Sequence, residues 1–418
     1  MSAERLYYGD SFLRSFTATV TGVREPGGEG GVWQVALDRT AFYPTSGGQP
    51  FDTGRLRLGR AGGGGAEMAV EAVAEDEDGE VWHTVRQAIA PGTAVAGEID
   101  WEQRLDHMQQ HTGQHLLSAV FLSELQGATV SFHLGAESSN IDLACALPAE
   151  AALERVELAV NRIIAEDRPV TPRVVTRAQA EALLAAGKLR KLPERGGDMR
   201  LIEIEDCDLN ACGGTHVRST GQIGGLWLRG TEKISRGVRV QFVCGLRAVR
   251  AGRTDAAALR QATEALSVGA GDVAAAIGRL QAEAKASAKE RQRLWEALAQ
   301  AEGARMAAAA DERDGWRLIE AACGEHDRDY VRLLAARTAG AAARTVAILS
   351  SGEREGARVV LARSRDLGFD CGAMMKQALA ECGLRGGGSP DLAQGEVAAE
   401  AAAELRAALA ARVRAAMA

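Results

Sequence analysis

The chain has 418 residues, of which 25% are charged and 46% apolar, and its net charge is −7. This is the balance of a folded soluble protein, which excludes disorder or a fibrous repeat over most of the length, and at about 150 residues per domain it predicts roughly three domains. A net negative chain is not a general nucleic-acid binder working by broad phosphate neutralisation, so any nucleic-acid partner needs a local basic surface. The charge runs −5 over residues 1–97, −2 over 98–250, −2 over 251–325 and +2 over 326–418, so the last segment alone is net basic. No run of about 18 apolar residues marks a membrane span, and the opening MSAERLYYGD lacks the apolar stretch of a signal peptide; a cytoplasmic protein without a membrane partner is expected. Seven cysteines, odd in number and irregularly spaced, do not make a disulfide framework and point to metal binding or thiol chemistry.

Residues 16–101 carry short alternating apolar runs such as Trp33, Val35 and Leu37, broken by Gly and Pro. Alternation with frequent turn signals predicts a small antiparallel β domain closed as a barrel, with Gly62–Gly65 at a hairpin tip. From Trp101 to Gln126 the spacing turns helical, with Leu105, Met108, Leu116, Ala119 and Leu122 near one face. Strand-like runs at 128–134 and 139–147, an amphipathic helix at 149–166 and further strands at 170–176, 199–206 and 223–243 read as an α+β domain. Between Val273 and Ala301 small or apolar residues recur in steps of four and three, as in a helical hairpin or a weak coiled coil; Arg291 interrupts the stripe and alanine dominates it. Strand-like runs return at Thr345–Leu349 and Arg358–Ala362, and an Ala-rich helix closes the chain from about Glu396. The expected architecture is therefore α+β and multidomain: a β-barrel over 1–97, an α+β domain over 98–250, a helical connector over 251–325 and a small α/β domain over 326–418.

His111 and His115 stand four apart on the long helix, which puts their β-carbons about 6 Å apart on one face and suits two ligands of one metal. A hundred residues on, Cys212-Gly-Gly-Thr-His216 carries a thiol and an imidazole across a Gly-Gly pair that can turn without side-chain clash. A lone His-x-x-x-His is more often packing than ligand, and a lone Cys more often a buried thiol. Together they complete a His₃Cys set suited to one Zn²⁺ per chain. His107 extends the same stripe and reads as packing or outer support; Cys207 is a weaker alternative to Cys212 because no imidazole follows it four residues on. A zinc protease is excluded, since Thr112 and Gln114 supply no carboxylate between the histidines.

HTGQHLLSA at 111–119 and CGGTHV at 212–217 resemble the paired metal motifs of the editing domain of alanyl-tRNA synthetases and of its free-standing relatives, the AlaX proteins. FYPTSGGQPFDTG at 42–54 resembles the Gly-rich segment preceding that domain, and SFHLG with IDL within 131–143 resembles the strand pair lining its pocket. GGGSPDLAQG at 386–395 is similar to the Gly-rich motif of the synthetase C-terminal domain, which in that family engages tRNA. The resemblance covers nearly the whole chain, lacks a counterpart of the aminoacylation domain, and is to the long-form AlaX group. It makes 98–250 a zinc-binding editing domain and 326–418 a tRNA-binding domain and a candidate homodimer surface.

The resemblance implies a trans-acting deacylase that hydrolyses the ester between a wrong amino acid, principally serine and as a further candidate glycine, and tRNA(Ala). Serine differs from the correct alanine by one hydroxyl, and a pocket built to hydrogen-bond that hydroxyl can reject the analogue lacking it by roughly 10⁴-fold. Thr45, Ser46, Gln49 and His133 are the polar residues expected there, and Asp142 is the candidate base, with a structural strand role as its alternative. Lys188, Arg190, Lys191 and Arg195 form a basic cluster that reads as an acceptor-end contact or as a solvated loop, and Gly386, Gly387 and Gly388 as tRNA contact or flexible linker. Two rivals stand beside the deacylase: a non-catalytic zinc-containing tRNA-binding protein, and an enzyme editing another mischarged tRNA, such as threonyl-tRNA.

Overall fold

A computed structural model describes residues 3–25, 31–59, 65–190, 192, 197–324, 326–352 and 356–418. Gly62–Gly64, Lys191 and Arg195, named above, lie outside the described residues. The chain divides into two compact units, Met1–Gln261 and Ala262–Ala418.

The first unit opens with seven strands, β1 Ser15–Arg24, β2 Trp33–Leu37, β3 Gly54–Leu58, β4 Glu67–Val70, β5 Ala72–Glu75, β6 Val81–Val85 and β7 Ala94–Ile99. They form one antiparallel sheet in the order β4-β3-β7-β1-β2-β6-β5. The two edge strands β4 and β5 are joined through Glu71 alone, so the sheet curls until its edges nearly meet. The expected barrel is thus nearly, not fully, closed: no ladder pairs β4 with β5 among the described residues. Alternation works as the pattern required, with Val81, His83 and Val85 of β6 turned inward onto Val35, Leu37, Phe42 and Leu56.

The helix α1, Trp101–Leu125, follows directly, N-capped by Asp100, whose carboxylate accepts from Gln103 N. Rather than presenting one face, α1 is buried on nearly all sides through its middle, Gln109, Gln110 and Ser118 included. It lies against a four-stranded sheet, β8 Thr129–Leu134, β9 Ser139–Leu143, β13 Leu226–Ile234 and β14 Gly237–Cys244, in the order β8-β9-β14-β13, and against α2, Glu150–Ala165. A second, three-stranded sheet, β10 Val170–Val175, β11 Met199–Ile204 and β12 Asp208–Ala211, carries α3, Arg177–Ala185. The division between units falls within α4, Gly245–Leu266.

In the second unit α5, Val273–Ala309, is a single 37-residue helix rather than a hairpin. Its last turns pack on α6, Arg328–Gly340, where a β-carbon on Gly303 would lie 2.7 Å from Thr338 N. The earlier stripe residues Ile277, Leu280, Leu294 and Leu298 are exposed. The sheet comprises β15 Glu312–Arg313, β16 Trp316–Ala322, β17 Thr345–Ser350, β18 Ala357–Arg363, β19 Gly386–Gly388 and β20 Leu392–Val397, in the order β15-β16-β17-β18-β20-β19. Among the described residues β16 and β17 form its one parallel pair, so this unit is α+β with a mixed sheet, not the expected α/β fold. Residues 316–322, assigned above to the connector, form an interior strand of it. The helices α7, Cys371–Glu381, and α8, Ala402–Met417, complete the unit.

Candidate metal centre

His111 and His115 project from α1, and Cys212 and His216 from the turn that follows β12. The fold brings one donor atom of each within 4.8 Å of the others. Cys212 Sγ lies 3.4 Å from His111 Nε2 and 3.3 Å from His216 Nε2. A tetrahedron with arms of 2.3 Å to sulfur and 2.0–2.1 Å to nitrogen has S···N edges of about 3.5 Å, so these four residues fit a four-coordinate metal.

Two of the three imidazoles are hydrogen-bonded from behind, and the third faces a carboxylate. His111 Nδ1 lies 2.7 Å from Gln49 Oε1, and since a carbonyl oxygen only accepts, the proton sits on Nδ1 and the Nε2 lone pair faces inward. His115 Nδ1 lies 3.4 Å from Asp208 Oδ2, a charge contact without hydrogen-bond geometry. His216 Nδ1 pairs with Thr112 Oγ1 at 3.1 Å. Burial alone would raise the Cys212 thiol, but the neighbouring imidazoles of His111, His216 and His115 outweigh it and hold the group well below the ordinary thiol range. A thiol so placed is a thiolate ligand in waiting. Burial pushes His216 down to about 3, whereas His115 overcomes burial through Asp208 and Cys212 and rises to about 9.

The Gly-rich segment is the strut behind His111. Ser46 and Gln49 exchange backbone hydrogen bonds across Gly47 (φ 55°) and Gly48 (φ 84°), a tight turn that needs both glycines at positive φ. A β-carbon on Gly48 would also lie 2.6 Å from Phe132 O of β8, onto which the turn docks through Leu134 N and Gly48 O. Gln49 is wholly buried: its Nε2 donates to Thr215 Oγ1 at 2.9 Å while its Oε1 accepts from Thr215 N at 3.1 Å. At the base of the segment Asp52 and Tyr43 pair backbone to backbone, and Arg104 of α1 grips Asp52 with Nε at 3.0 Å and also reaches the carbonyls of Ser11 and Ala41. Both members of that ion pair are fully buried, so removing one would strand the other at a cost of about 3–5 kcal/mol.

Of the remaining expected residues, Gln49 meets the metal set as a support of His111. Thr45 and Ser46 are exposed on the same turn. His133 is exposed, and strand alternation places it on the face of β8 opposite Phe132, whose ring lies 5.4 Å from that of His111. Asp142 lies on that outer face too, bound by Arg239 at 2.8 and 3.0 Å and by Ser131 at 2.8 Å, which lower its carboxyl. It does not join the metal set, and its ion pair gives it the structural strand role that stood as its alternative. Arg190 binds Asp208 and thereby the back of His115, while Lys188 is exposed. Cys207 stays outside the set, its thiol pushed up to about 11 by burial and Asp208, and His107 is buried one turn before His111. Gly386–Gly388 form an edge strand, not a flexible linker: β-carbons at Gly386 and Gly388 would lie 2.3 Å from Leu379 Cδ1 and 2.2 Å from Leu392 O. The supports Thr112, Thr215, Asp208 and Asp52 were not anticipated from sequence. For Asp208 a signal existed, as it lies four residues before Cys212 in a polar strand.

A buried His₃Cys centre, shared between a helix and a Gly-Gly turn and braced by a Gly-rich segment of a neighbouring β domain, defines the class. Residues 199–239 match the threonyl and alanyl tRNA synthetase second additional domain, residues 15–103 the class II (A) tRNA synthetases, and residues 318–415 the DHHA1 domain. The chain is 36% identical over 251 residues to the alanyl-tRNA editing protein AlaX-L of Pyrococcus horikoshii, covering 59% of each. It is 35% identical over 232 residues to AlaX-M of Methanosarcina mazei, covering 53% of this chain and 88% of that protein. It is 32% identical over 409 residues to the alanine–tRNA ligase of Pyrobaculum neutrophilum, covering 94% of this chain and 42% of the ligase. The chain belongs to the alanyl-tRNA editing protein family. It spans 59% of the length of AlaX-L and 31% of the alanine–tRNA ligase of Pyrococcus abyssi. The C-Ala domain of Aquifex aeolicus alanyl-tRNA synthetase aligns with 24% of the chain and 96% of that domain, at 20% identity and a TM-score of 0.21, too low to argue a shared fold. Among the described residues no helix is long and apolar enough to cross a membrane.

Proposed function

We propose that the protein is an aminoacyl-tRNA deacylase that hydrolyses serine, and as a second substrate glycine, from mischarged tRNA(Ala), with one zinc held by His111, His115, Cys212 and His216. The observation that carries the reading is the buried four-donor set, assembled from two motifs and lying beside a Gly-rich turn. It is supported by the family, whose named members are alanyl-tRNA editing proteins. Bound zinc supplies Lewis-acid polarisation of the ester carbonyl or a water of lowered pKa.

The chain's own residues orient and select. Gln49 and Thr112 hold the rings of His111 and His216 by hydrogen bonds, the Asp208 carboxylate faces His115, and the exposed hydroxyls of Thr45 and Ser46 are the groups offered to the serine hydroxyl. Asp208 pairs with Arg190 and faces His115, and Asp142 pairs with Arg239, so both carboxylates stand in ion pairs. Four protein donors also close a tetrahedral site, which favours as a second reading a structural zinc in a non-catalytic tRNA-binding protein.

The test is hydrolysis of Ser-tRNA(Ala) and Ala-tRNA(Ala) by wild type and Cys212→Ala after zinc has been quantified. Serine-selective release that is lost in a folded Cys212→Ala chain is expected. Zinc present without release from either ester would give the second reading the ground.

A further inference from the structure

Two arginines outside the donor set hold its outer side. Arg200, on β11, donates through Nη1 to the carbonyls of Cys212 at 2.8 Å and Gly214 at 2.9 Å, and through Nε to Tyr8 O at 3.1 Å. Its guanidinium lies over the Tyr8 ring, 5.4 Å from the centroid, and its own carbonyl accepts from Cys212 N at 3.2 Å. Among the described residues no ion pair joins it to a carboxylate, and its Nε and Nη1 donate to backbone carbonyls. Two carbonyls flanking Gly213 reach one nitrogen only if the backbone between them curls. That curl also puts Gly214 N 3.3 Å from Cys212 Sγ, where its N–H donates to the sulfur.

The second arginine acts on the opposite half. Arg190 binds one oxygen of the Asp208 carboxylate; the other accepts from Asn210 Nδ2 at 2.5 Å and faces His115 Nδ1 at 3.4 Å. The Asp208 side chain is almost wholly buried, so its direction is set by these partners. A planar guanidinium suits both tasks, because its fork fixes several acceptors at defined angles where an ammonium fixes one.

We propose that Arg190 and Arg200 are positioning residues of the metal set: Arg200 shapes the Cys212–Gly214 turn, and Arg190 aims His115 through Asp208. For Arg190 this replaces a role as a tRNA phosphate contact. Outer partners of metal ligands typically change metal affinity 10–100-fold when removed.

The experiment uses the full chain with Arg190→Gln, Arg200→Gln and Arg200→Lys, and with Arg173→Gln as control, since Arg173 pairs with Glu203 among the described residues, on the exposed face of β10. Zinc affinity is read by competition with a chelating indicator, ligand geometry by the thiolate-to-cobalt charge-transfer band of the Co²⁺-loaded chain, and folding by circular dichroism. Expected are a fall in zinc affinity of about 10–100-fold in all three test variants and an altered cobalt band in both Arg200 variants, with the control unchanged. Arg200→Lys keeps charge and stem, so it separates loss of the fork from loss of fold; should Arg200→Gln not fold, Arg200→Lys and Arg190→Gln decide. Wild-type zinc affinity and cobalt band in the folded variants would overturn the proposal. The kinetic arm rests on the deacylase reading and expects kcat to drop with KM for aminoacyl-tRNA within a factor of about two. A raised KM with unchanged zinc affinity in Arg190→Gln would return that residue to tRNA contact. Wild type without deacylase activity would sink the deacylase reading alone, and the zinc and cobalt arms would still decide the positioning roles.

Discussion

Gly213 and Gly214 are adjacent and identical in sequence, yet their surroundings are not. A β-carbon on Gly214 would lie 2.2 Å from His111 Cε1, 2.4 Å from its Nδ1 and 2.9 Å from Gln49 Oε1. None of these can retreat, because His111 is tied to Gln49 and Gln49 to Thr215. On Gly213 the nearest atom is Tyr8 Oη at 3.4 Å, an ordinary contact. Gly214→Ala is therefore expected to lower bound zinc, measured by elemental analysis after dialysis, by at least about tenfold, and Gly213→Ala to leave it unchanged. Equal retention by both would mean that His111 is not held where it stands. The four donors were legible in the sequence because each half carries its spacing within one helix turn or one tight turn. The supports were not, because Gln49 meets His111 and Thr112 meets His216 across 62 and 104 residues, distances that only the fold closes. The face on which His133 and Asp142 stand was hidden for a related reason. Alternation shows that two strand residues share a face but not which face the helix covers.

At the scale of elements, the β domain and α1 followed from periodicity. The α3 helix was missed although Thr176 and Gln179 form a capping box that announces its start; nine residues are too few to show a helical period. The β domain also holds an element with a pH consequence. His83 of β6 is wholly buried, its Nδ1–H donating to Val35 O at 3.1 Å and its Nε2 accepting from Thr40 Oγ1 at 2.8 Å. Burial pushes it from 6.5 down to about 4. Between those values the unfolded chain binds a proton that the folded one refuses, so stability falls as pH drops from 6.5 towards 4 and is unaffected by this group above 6.5. The loss at pH 5 is on the order of 2 kcal/mol. Urea unfolding of wild type and His83→Gln at pH 7.5 and pH 5 is expected to show the wild-type advantage shrinking by about that amount. Metal release at low pH affects both proteins and cancels in the difference, and a constant advantage would mean that His83 titrates normally.

For the whole molecule, a metal held by this set would be a crosslink within one unit. It joins α1 to the turn after β12, elements separated in sequence by α2, α3 and the strands β8 to β12, all inside Met1–Gln261. The second unit has its own cores, one built on Trp316, Ile348, Leu361 and Leu409 and the other on Ala299, Tyr330, Leu334 and Leu349, and they draw nothing from the metal ligands. A ligand that binds only the folded state stabilises what it binds by RT ln(1 + [L]/Kd), about 4 kcal/mol at a thousandfold excess over Kd. Chelation should remove that amount from the first unit and leave the second untouched. Hydrogen exchange in moderate urea, followed by peptide, separates the two: with chelator, peptides of α1, β11 and β14 are expected to lose protection while those of β17, β18 and α8 keep theirs. If protection fell equally in both sets, the units would unfold as one cooperative body and the metal would stabilise the whole chain.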